Sequence, residues 1–515
     1  MSDPVRRYAR YLLVMAGLGG LIYGIDVGVI AAALPYIRNT ADYSSVQLGF
    51  IVGAVLWGSV VSSLFAGTLS EWFGRKAIII ASAFCFFVSI PVICASGLME
   101  GGSFVLLTVG RTLQGASAGL VGVVVPMYLA ECLDSDSRGK GTGMFQLLLT
   151  VGLAFAAVIG LVVTGLVGDS DKVVKAAAVA HGVVDAHGAA DTARITFEMI
   201  AKWVKPEQLK GWAMAWQTIF FCSAVPGLIL FLGAFRLRES PRWLYRKGRR
   251  EEALASLAAN NGEEKAKEIL AEMIAADEAA AAEKAAIARA SQGDSLIQRK
   301  YVYPFCLAVV ILACNQTTGI NSVLNYTVDI FKATGMEGVF ANFSDLAIKL
   351  VNVFMTVVAC ALVDKKGRTF LLKLGTSGII VGLCGVATVF LLITKGIVAA
   401  SATTGVVATV FFFMFIAFYA VGPGVCVWLA LSELMPTRIR ATGMSIAMII
   451  NQGVSATIAT VFPAWKDAWG FPSVFYCLAG FTVVYFVTAA FFLPETKGRT
   501  LEEIEQYFKT GRMPE

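Results

Sequence analysis

Asp26 and Arg111 are ionisable residues set inside long apolar stretches. A charged side chain in such a stretch is expensive, so it faces a cavity or a partner and marks the route of an ion or a solute. Burial favours a neutral acid and an adjacent guanidinium favours the anion, so an aspartate–arginine pair can act as a proton-sensitive switch. A permanent structural ion pair is the other reading. Enzyme chemistry has little to draw on. No nucleophile–base pair or metal-ligand cluster appears, and the ten cysteines are scattered without a CxxC pair. The two histidines, His181 and His187, share one polar segment and are too few for a metal centre. Gly17, Gly20, Gly24 and Gly28 recur on one side of a helix. A dinucleotide fingerprint would need a preceding strand, and none is present, so they read as a small-residue face for close helix contact. There is no GxxxxGK[ST] loop, and no sequence feature calls for a cofactor.

The elements that must position these residues are apolar blocks. Of 515 residues, 57% are hydrophobic and only 15% charged, with mean hydropathy +0.71. A soluble chain of that length would carry far more charged surface. The apolar residues instead fall in blocks of about 20, the length a helix needs to cross the hydrocarbon core. Ala77–Ser96, Phe104–Leu129 and Val474–Leu493 are examples. Twelve spans are predicted, near 11–33, 47–69, 77–97, 103–130, 143–167, 214–236, 302–327, 344–363, 370–393, 405–431, 441–463 and 473–493. The first has no small-residue cleavage site and is expected to stay as a helix. The fold class is therefore an all-α membrane protein.

Charge is distributed by loop. Arg6, Arg7 and Arg10 precede the first span, and Arg75–Lys76, Arg138–Lys140, Lys365–Arg368 and Arg438–Arg440 fill alternate short loops. The intervening loops hold few cations, namely Arg38, Lys332, Lys395 and Lys466. Cation-rich loops stay in the cytoplasm, which places both termini inside the cell. That regular alternation argues against nucleic-acid binding. Lys349 falls unusually within the eighth span and reads as snorkelling, or as a misplaced span boundary.

Two polar inserts divide the chain. Residues 168–211 form an external insert with some helical character and no legible role. Residues 237–300 are rich in Ala, Glu, Lys and Arg and read as a cytoplasmic helical linker, either a latch across two halves or a solvated connection. The domains expected are residues 1–236, that linker, 301–493, and a tail at 494–515. The halves repeat. Ala66 to Lys76 after the second span matches Ala361 to Thr369 after the eighth. Glu131 and Arg138 match Glu433 and Arg440 at one constant offset, and Arg238-Glu239-Ser240-Pro241 matches Pro494-Glu495-Thr496-Lys497. Internal duplication with a site between repeats is the architecture of many secondary transporters.

At these residues the chain resembles the sugar porter family of the major facilitator superfamily. The resemblance rests on Gly24-Ile25-Asp26, Gly110-Arg111-Thr112-Leu113-Gln114-Gly115, Pro126 to Glu131, Glu239-Ser240-Pro241-Arg242, Gln316-Thr317-Thr318-Gly319-Ile320-Asn321 and Pro494 to Arg499. It covers nearly the whole chain apart from the external insert. It implies two pseudo-symmetric six-helix bundles that import a monosaccharide with a proton by alternating access. Passive uniport of a sugar or polyol, and a signalling receptor, are the alternatives; such receptors usually carry a long cytoplasmic tail, and this chain ends soon after Tyr507. Asp26 and Arg111 would couple the proton. Gln146, Asn315, Gln316, Asn321, Asn352 and Asn451 would hold sugar hydroxyls, because an amide both donates and accepts, and Trp428 would stack on the ring. Arg75, Glu131, Arg138, Arg368, Glu433 and Arg440 would form a cytoplasmic charge gate. Some proton-coupled members carry a further acid where Ser223 stands here. Asn315, Asn325, Gln452 and Leu153 also depart from the usual pattern, which leaves the solute open to a cyclitol such as inositol. The partners expected are a small sugar, a proton and the bilayer, with no nucleic acid or metal, a monomer as the simplest assembly, and the plasma membrane as the location.

Overall fold

Polar caps and single glycines set the helix lengths. Ser44 closes a capping box with Gln47 at the start of α2 (Ser45–Phe73), and Gly74, at φ 94°, lets the chain reverse into α3 (Arg75–Ser96). The matching Gly367, at φ 88°, separates α14 (Gly338–Lys366) from α15 (Arg368–Thr394). A β-carbon is strained at such positive φ, which is why the repeat carries glycine at both places. The computed structural model describes residues 3–99, 102–132, 135–184, 190, 194–275, 297–436, 439–495, 503 and 506–508.

The first half contains α1 (Asp3–Thr40), α2, α3, α4 (Phe104–Cys132), α5 (Ser135–Val167) and α8 (Pro206–Ala234). Two short helices, α6 (Ser170–Ala180) and α7 (Phe197–Trp203), lie between α5 and α8. The connecting segment holds α9 (Pro241–Arg246), α10 (Arg250–Asn261) and α11 (263–275). Among these, α9 packs on α4 and α10 on α1, so their described contacts are with the first half. The second half contains α12 (Arg299–Thr317), α13 (Ile320–Ala333), α14, α15, α16 (Ala402–Val421), α17 (Pro423–Leu434) and α18 (Arg440–Val487), followed by a π-helical turn over Thr488–Phe492.

Eleven stretches are long and apolar enough to cross a membrane, and the last, Thr442–Phe492, is 51 residues long. At 1.5 Å per residue that is about 75 Å, more than twice the hydrocarbon thickness. It bends back at Gly470, whose φ of 75° is not helical, and so supplies two passes. The passes total twelve, in two six-pass halves. Two are broken near mid-depth. Gly319, at φ 80°, separates α12 from α13, and Gly422 with Pro423 separates α16 from α17.

Small residues let the helices meet closely. A β-carbon on Gly24 would lie 1.9 Å from the Leu149 carbonyl oxygen, and one on Gly20 would lie 2.1 Å from that of Phe145. The glycine face of α1 therefore seats the backbone of α5.

One expectation fails here. Lys349 does not snorkel and does not lie at a span boundary. It is fully buried within α14, with Nζ 2.7 Å from Oδ2 of an equally buried Asp345 one turn earlier. The helix begins at Gly338, six residues before the predicted span, which draws both charges inside.

Candidate functional site

The break at Gly319 gathers three of the expected amides. Gln316 Nε2 donates to Asn451 Oδ1 at 3.2 Å, and Asn321 Nδ2 donates to Gln316 Oε1 at 3.0 Å. Asn321 Nδ2 also reaches Ser455 Oγ at 2.7 Å, a partner the sequence reading missed although it lies one turn beyond Asn451. Asn451 Nδ2 in turn donates to the Leu312 carbonyl at 2.9 Å. The local sequence dictates this. Interrupting the helix lets Gln316, at the end of α12, face Asn321, at the start of α13, and α18 closes the ring from the side.

The other expected positions are more dispersed. Asn315 is buried, and its Oδ1 accepts no hydrogen bond among the described residues. Asn352 is half-buried on α14, and Gln146 is exposed on α5 of the opposite half. Trp428 lies on α17, and its side chain falls outside the described residues.

Asp26 and Arg111 are both buried in the first half and are neighbours without a direct side-chain bond. Arg111 Nη1 donates to the Asp26 main-chain oxygen at 3.3 Å and to Gln114 Oε1 at 2.9 Å, while the guanidinium sits 5.6 Å over the Phe220 ring. Neither carboxylate oxygen of Asp26 has a hydrogen-bond partner among the described residues. Buried polar atoms are almost always satisfied, so this orphaned carboxyl stands out within the first half.

At the end of the bundle that carries Asp3 and Phe508, Arg75 is held by Glu131 at 2.9 Å and by Glu71 at 2.6 Å. Glu131 also accepts from Ser240 Oγ. Glu239 Oε1 caps α3 by accepting from the main-chain N–H of Arg75 and Lys76 at 2.8 and 3.1 Å. The second half repeats the cap, with Glu495 accepting from the N–H groups of Arg368 and Thr369, both at 3.1 Å. These described contacts stay within one half each. The side chains of Arg138, Glu433 and Arg440 lie outside the described residues.

The far end carries a charge cluster that sequence reasoning did not find. Lys332 Nζ of α13 lies 2.5 Å from Asp169 Oδ1 and 2.9 Å from Asp171 Oδ2, across the seam between halves. Arg38 at the end of α1 reaches Asp171 at 3.1 Å and Asp329 of α13 at 3.3 Å. Gly338 N–H donates to Asp169 Oδ2 at 2.7 Å, and Asn342 Nδ2 to Thr164 Oγ1 at 3.3 Å. Burial pushes the Asp171 carboxyl up, but Lys332 and Arg38 more than offset it and hold the group well below the usual carboxylate range. Asp169 and Asp171 come from the polar insert, whose role the sequence left blank.

Apolar packing closes the same end. A β-carbon on Gly49 of α2 would lie 1.9 Å from the Thr460 carbonyl of α18, and Leu56 packs on Ala456 and Ala459. Toward the opposite end, Gln146 is exposed, and a β-carbon on Gly67 or Gly453 would meet open space. Among the described residues the seam is thus held shut at the far end, while exposed positions mark the end bearing Asp3 and Phe508.

Known proteins resemble this chain in sequence and fold. The family model described as "Sugar (and other) transporter" matches residues 12–178 and 193–508. The arabinose-proton symporter of Bacillus subtilis is 27% identical over 95% of this chain and 93% of its own length. The major myo-inositol transporter of the same organism is 26% identical, covering 98% and 94%. The inward-open xylose transporter of E. coli superposes with TM-score 0.73 at 23% identity, over 96% of this chain and 98% of that one. With its twelve passes in two repeated halves, the chain belongs to the sugar porter family of the major facilitator superfamily, a family of multi-pass membrane transporters and not of enzymes.

Proposed function

We propose that this protein imports a monosaccharide together with a proton across the plasma membrane by alternating access, and that the structure is its inward-facing state. The cation-rich loops put both termini in the cytoplasm, so the end bearing Asp3 and Phe508 opens inward and the clasped end faces outside. Gln316, Asn321 and Asn451 form a polar ring at a broken helix, the arrangement by which transporters expose fixed groups to a solute at mid-depth. Gln146, Asn315, Asn352 and Trp428 complete the site as the halves close around the sugar.

The observation that carries coupling is the Asp26 carboxyl, buried beside Arg111 and without a donor among the described residues. A charge there would lack hydrogen bonds, so the carboxyl suits a proton in this state. When the halves rock outward, Arg111 can turn from Gln114 to the carboxylate and favour the anion. Proton and solute then move together, because each favours the same change of state. Arg75, Glu131, Arg138, Arg368, Glu433 and Arg440 meet across the cytoplasmic end when it shuts.

Passive uniport of a polyol is the second reading. Ser223 in place of a further acid, the departures at Asn325, Gln452 and Leu153, and the resemblance to a myo-inositol transporter favour it. Uptake into proteoliposomes separates the two, using labelled hexoses, pentoses and inositol with and without an imposed pH gradient. Under proton symport the gradient drives accumulation, and Asp26→Asn abolishes accumulation while sparing counterflow. Accumulation that persists in Asp26→Asn refutes coupling through Asp26.

A further inference from the structure

Asp345 and Lys349 form an ion pair with no exposure inside α14. Such a pair is a weak device for stability, because desolvating two charges cancels most of their attraction. Ionisable groups in a span instead mark a pathway. Their position shows which one. Asn342, Asp345, Lys349 and Asn352 follow the helical repeat and share one face of α14. Asn342, at the head of this row, bonds Thr164 of α5, so the row faces the seam between halves. Phe343, Leu350, Phe354 and Val357 on the other side are exposed, away from the seam.

The row leads from the clasp down to Asn352, which is half-buried. At 1.5 Å per residue, Lys349 sits about 5 Å above Asn352, within reach of one sugar ring. α5 and α14 run in opposite directions from the Thr164–Asn342 contact, which brings Leu153 of α5 level with Asn352. At that depth α5 offers an apolar side chain, and α14 offers polar ones.

Hydrogen-bonding capacity remains unused. Lys349 has three donors and gives one to Asp345 Oδ2. Asp345 Oδ1 accepts no hydrogen bond among the described residues, and the neighbouring Thr327 hydroxyl gives its proton to the Val323 carbonyl at 2.6 Å.

We propose that Lys349 and Asp345 are a specificity-determining pair for the transported solute. Lys349 Nζ donates to one solute hydroxyl, and Asp345 Oδ1 accepts from the adjacent hydroxyl. The pair thereby selects neutral solutes that present two neighbouring hydroxyls in the fitting orientation. It carries no net charge, so it gives no advantage to a sugar acid. This inference rests on the reading of the chain as a sugar or polyol transporter.

The test is transport in proteoliposomes by the wild type, Asp345→Asn, and the double variant Asp345→Asn/Lys349→Met, with folding checked by size exclusion and thermal unfolding. The double variant removes both charges together, so no lone charge is left buried. KM is measured for the best neutral substrate and for each of its mono-deoxy analogues. The expected result is that one or two adjacent deoxy positions raise the wild-type KM tenfold or more and leave the double variant nearly indifferent. Asp345→Asn should lose sensitivity at only one of them. Identical deoxy profiles in wild type and variants overturn the proposal, as does failure of both variants to fold, which would make the pair a packing element. Wild type that moves no sugar or polyol refutes the transport reading itself, a different outcome from an unchanged profile.

Discussion

Removing the Lys332 ammonium should unlatch the far end. Lys332 is the one cation that touches both Asp169 and Asp171 among the described ion pairs, and its side chain is 8% exposed. Deleting one member of a fully buried pair costs about 3–5 kcal/mol, whereas an exposed pair is worth at most about 1. The two acids are about a tenth exposed, and each keeps another partner, Arg38 for Asp171 and the Gly338 N–H for Asp169. The loss to the shut state should therefore lie between those limits, at about 2 kcal/mol, or about 30-fold in the opening equilibrium. Lys332→Met removes the charge and keeps most of the stem. The assay is the alkylation rate of a cysteine placed at Thr164, a residue buried behind the clasp, by a membrane-impermeant reagent in a background without native cysteines. The rate should rise roughly 30-fold in Lys332→Met, and Lys332→Arg should recover much of the protection. The pH dependence has a definite sign. Asp171 is held below the usual carboxylate range, so its contribution is complete above that range and fades only as pH falls beneath it. The wild-type rate should be flat from about pH 8 to about pH 5. An unchanged rate in Lys332→Met, or a steep rise between those pH values, would refute the assignment of these charges as the clasp.

Three further perturbations probe other contacts. Gly24→Ala puts a methyl group 1.9 Å from the Leu149 carbonyl, so α1 and α5 must part; about 1–3 kcal/mol should be lost, and an unaltered thermal midpoint in detergent would contradict the close approach. Gly319→Ala forces a β-carbon to adopt φ 80° and to meet Leu478 at 2.6 Å, at a cost of at least about 1–2 kcal/mol. Transport should fall even where the protein is still produced, and wild-type kinetics would show that the break is not needed. Asn451→Ala removes the acceptor for Gln316 and the donor to Leu312; the KM for the transported solute should rise about tenfold with a smaller change in the maximal rate, and a rate effect alone would place Asn451 outside the binding ring.

How much of this was legible depended on the range of the interaction. Twelve passes follow from apolar runs because the bilayer imposes one length on every helix. The repeated loops were legible as repeats, and the structure adds their geometry, with positive φ at Gly74 and Gly367 and with Glu239 and Glu495 capping the helices that begin after those glycines. The amides of the ring were named through the family resemblance, but Ser455 was not, because a serine in an apolar span ordinarily satisfies itself on its own helix. Lys349 was misread as snorkelling or as a misplaced boundary because it was taken alone, whereas Asp345 four residues earlier was the sign of a pair on one helical face.

The clasp was illegible for a stronger reason. Its partners, Arg38, Asp169, Asp171, Asp329 and Lys332, lie on segments more than a hundred residues apart, and no local pattern fixes how one half docks on the other. Loop charge gives the sign of each surface, not its register. Even so, the rule that leaves outward loops poor in cations gives the few that remain some significance. Arg38 and Lys332 both proved to be tied to carboxylates across the seam, where a solvated charge would have sufficed for topology. Lys466, by contrast, pairs only with its neighbour Asp467 among the described ion pairs, so it is the position of Arg38 and Lys332 beside the seam, and not their place in a cation-poor loop alone, that makes them join the halves.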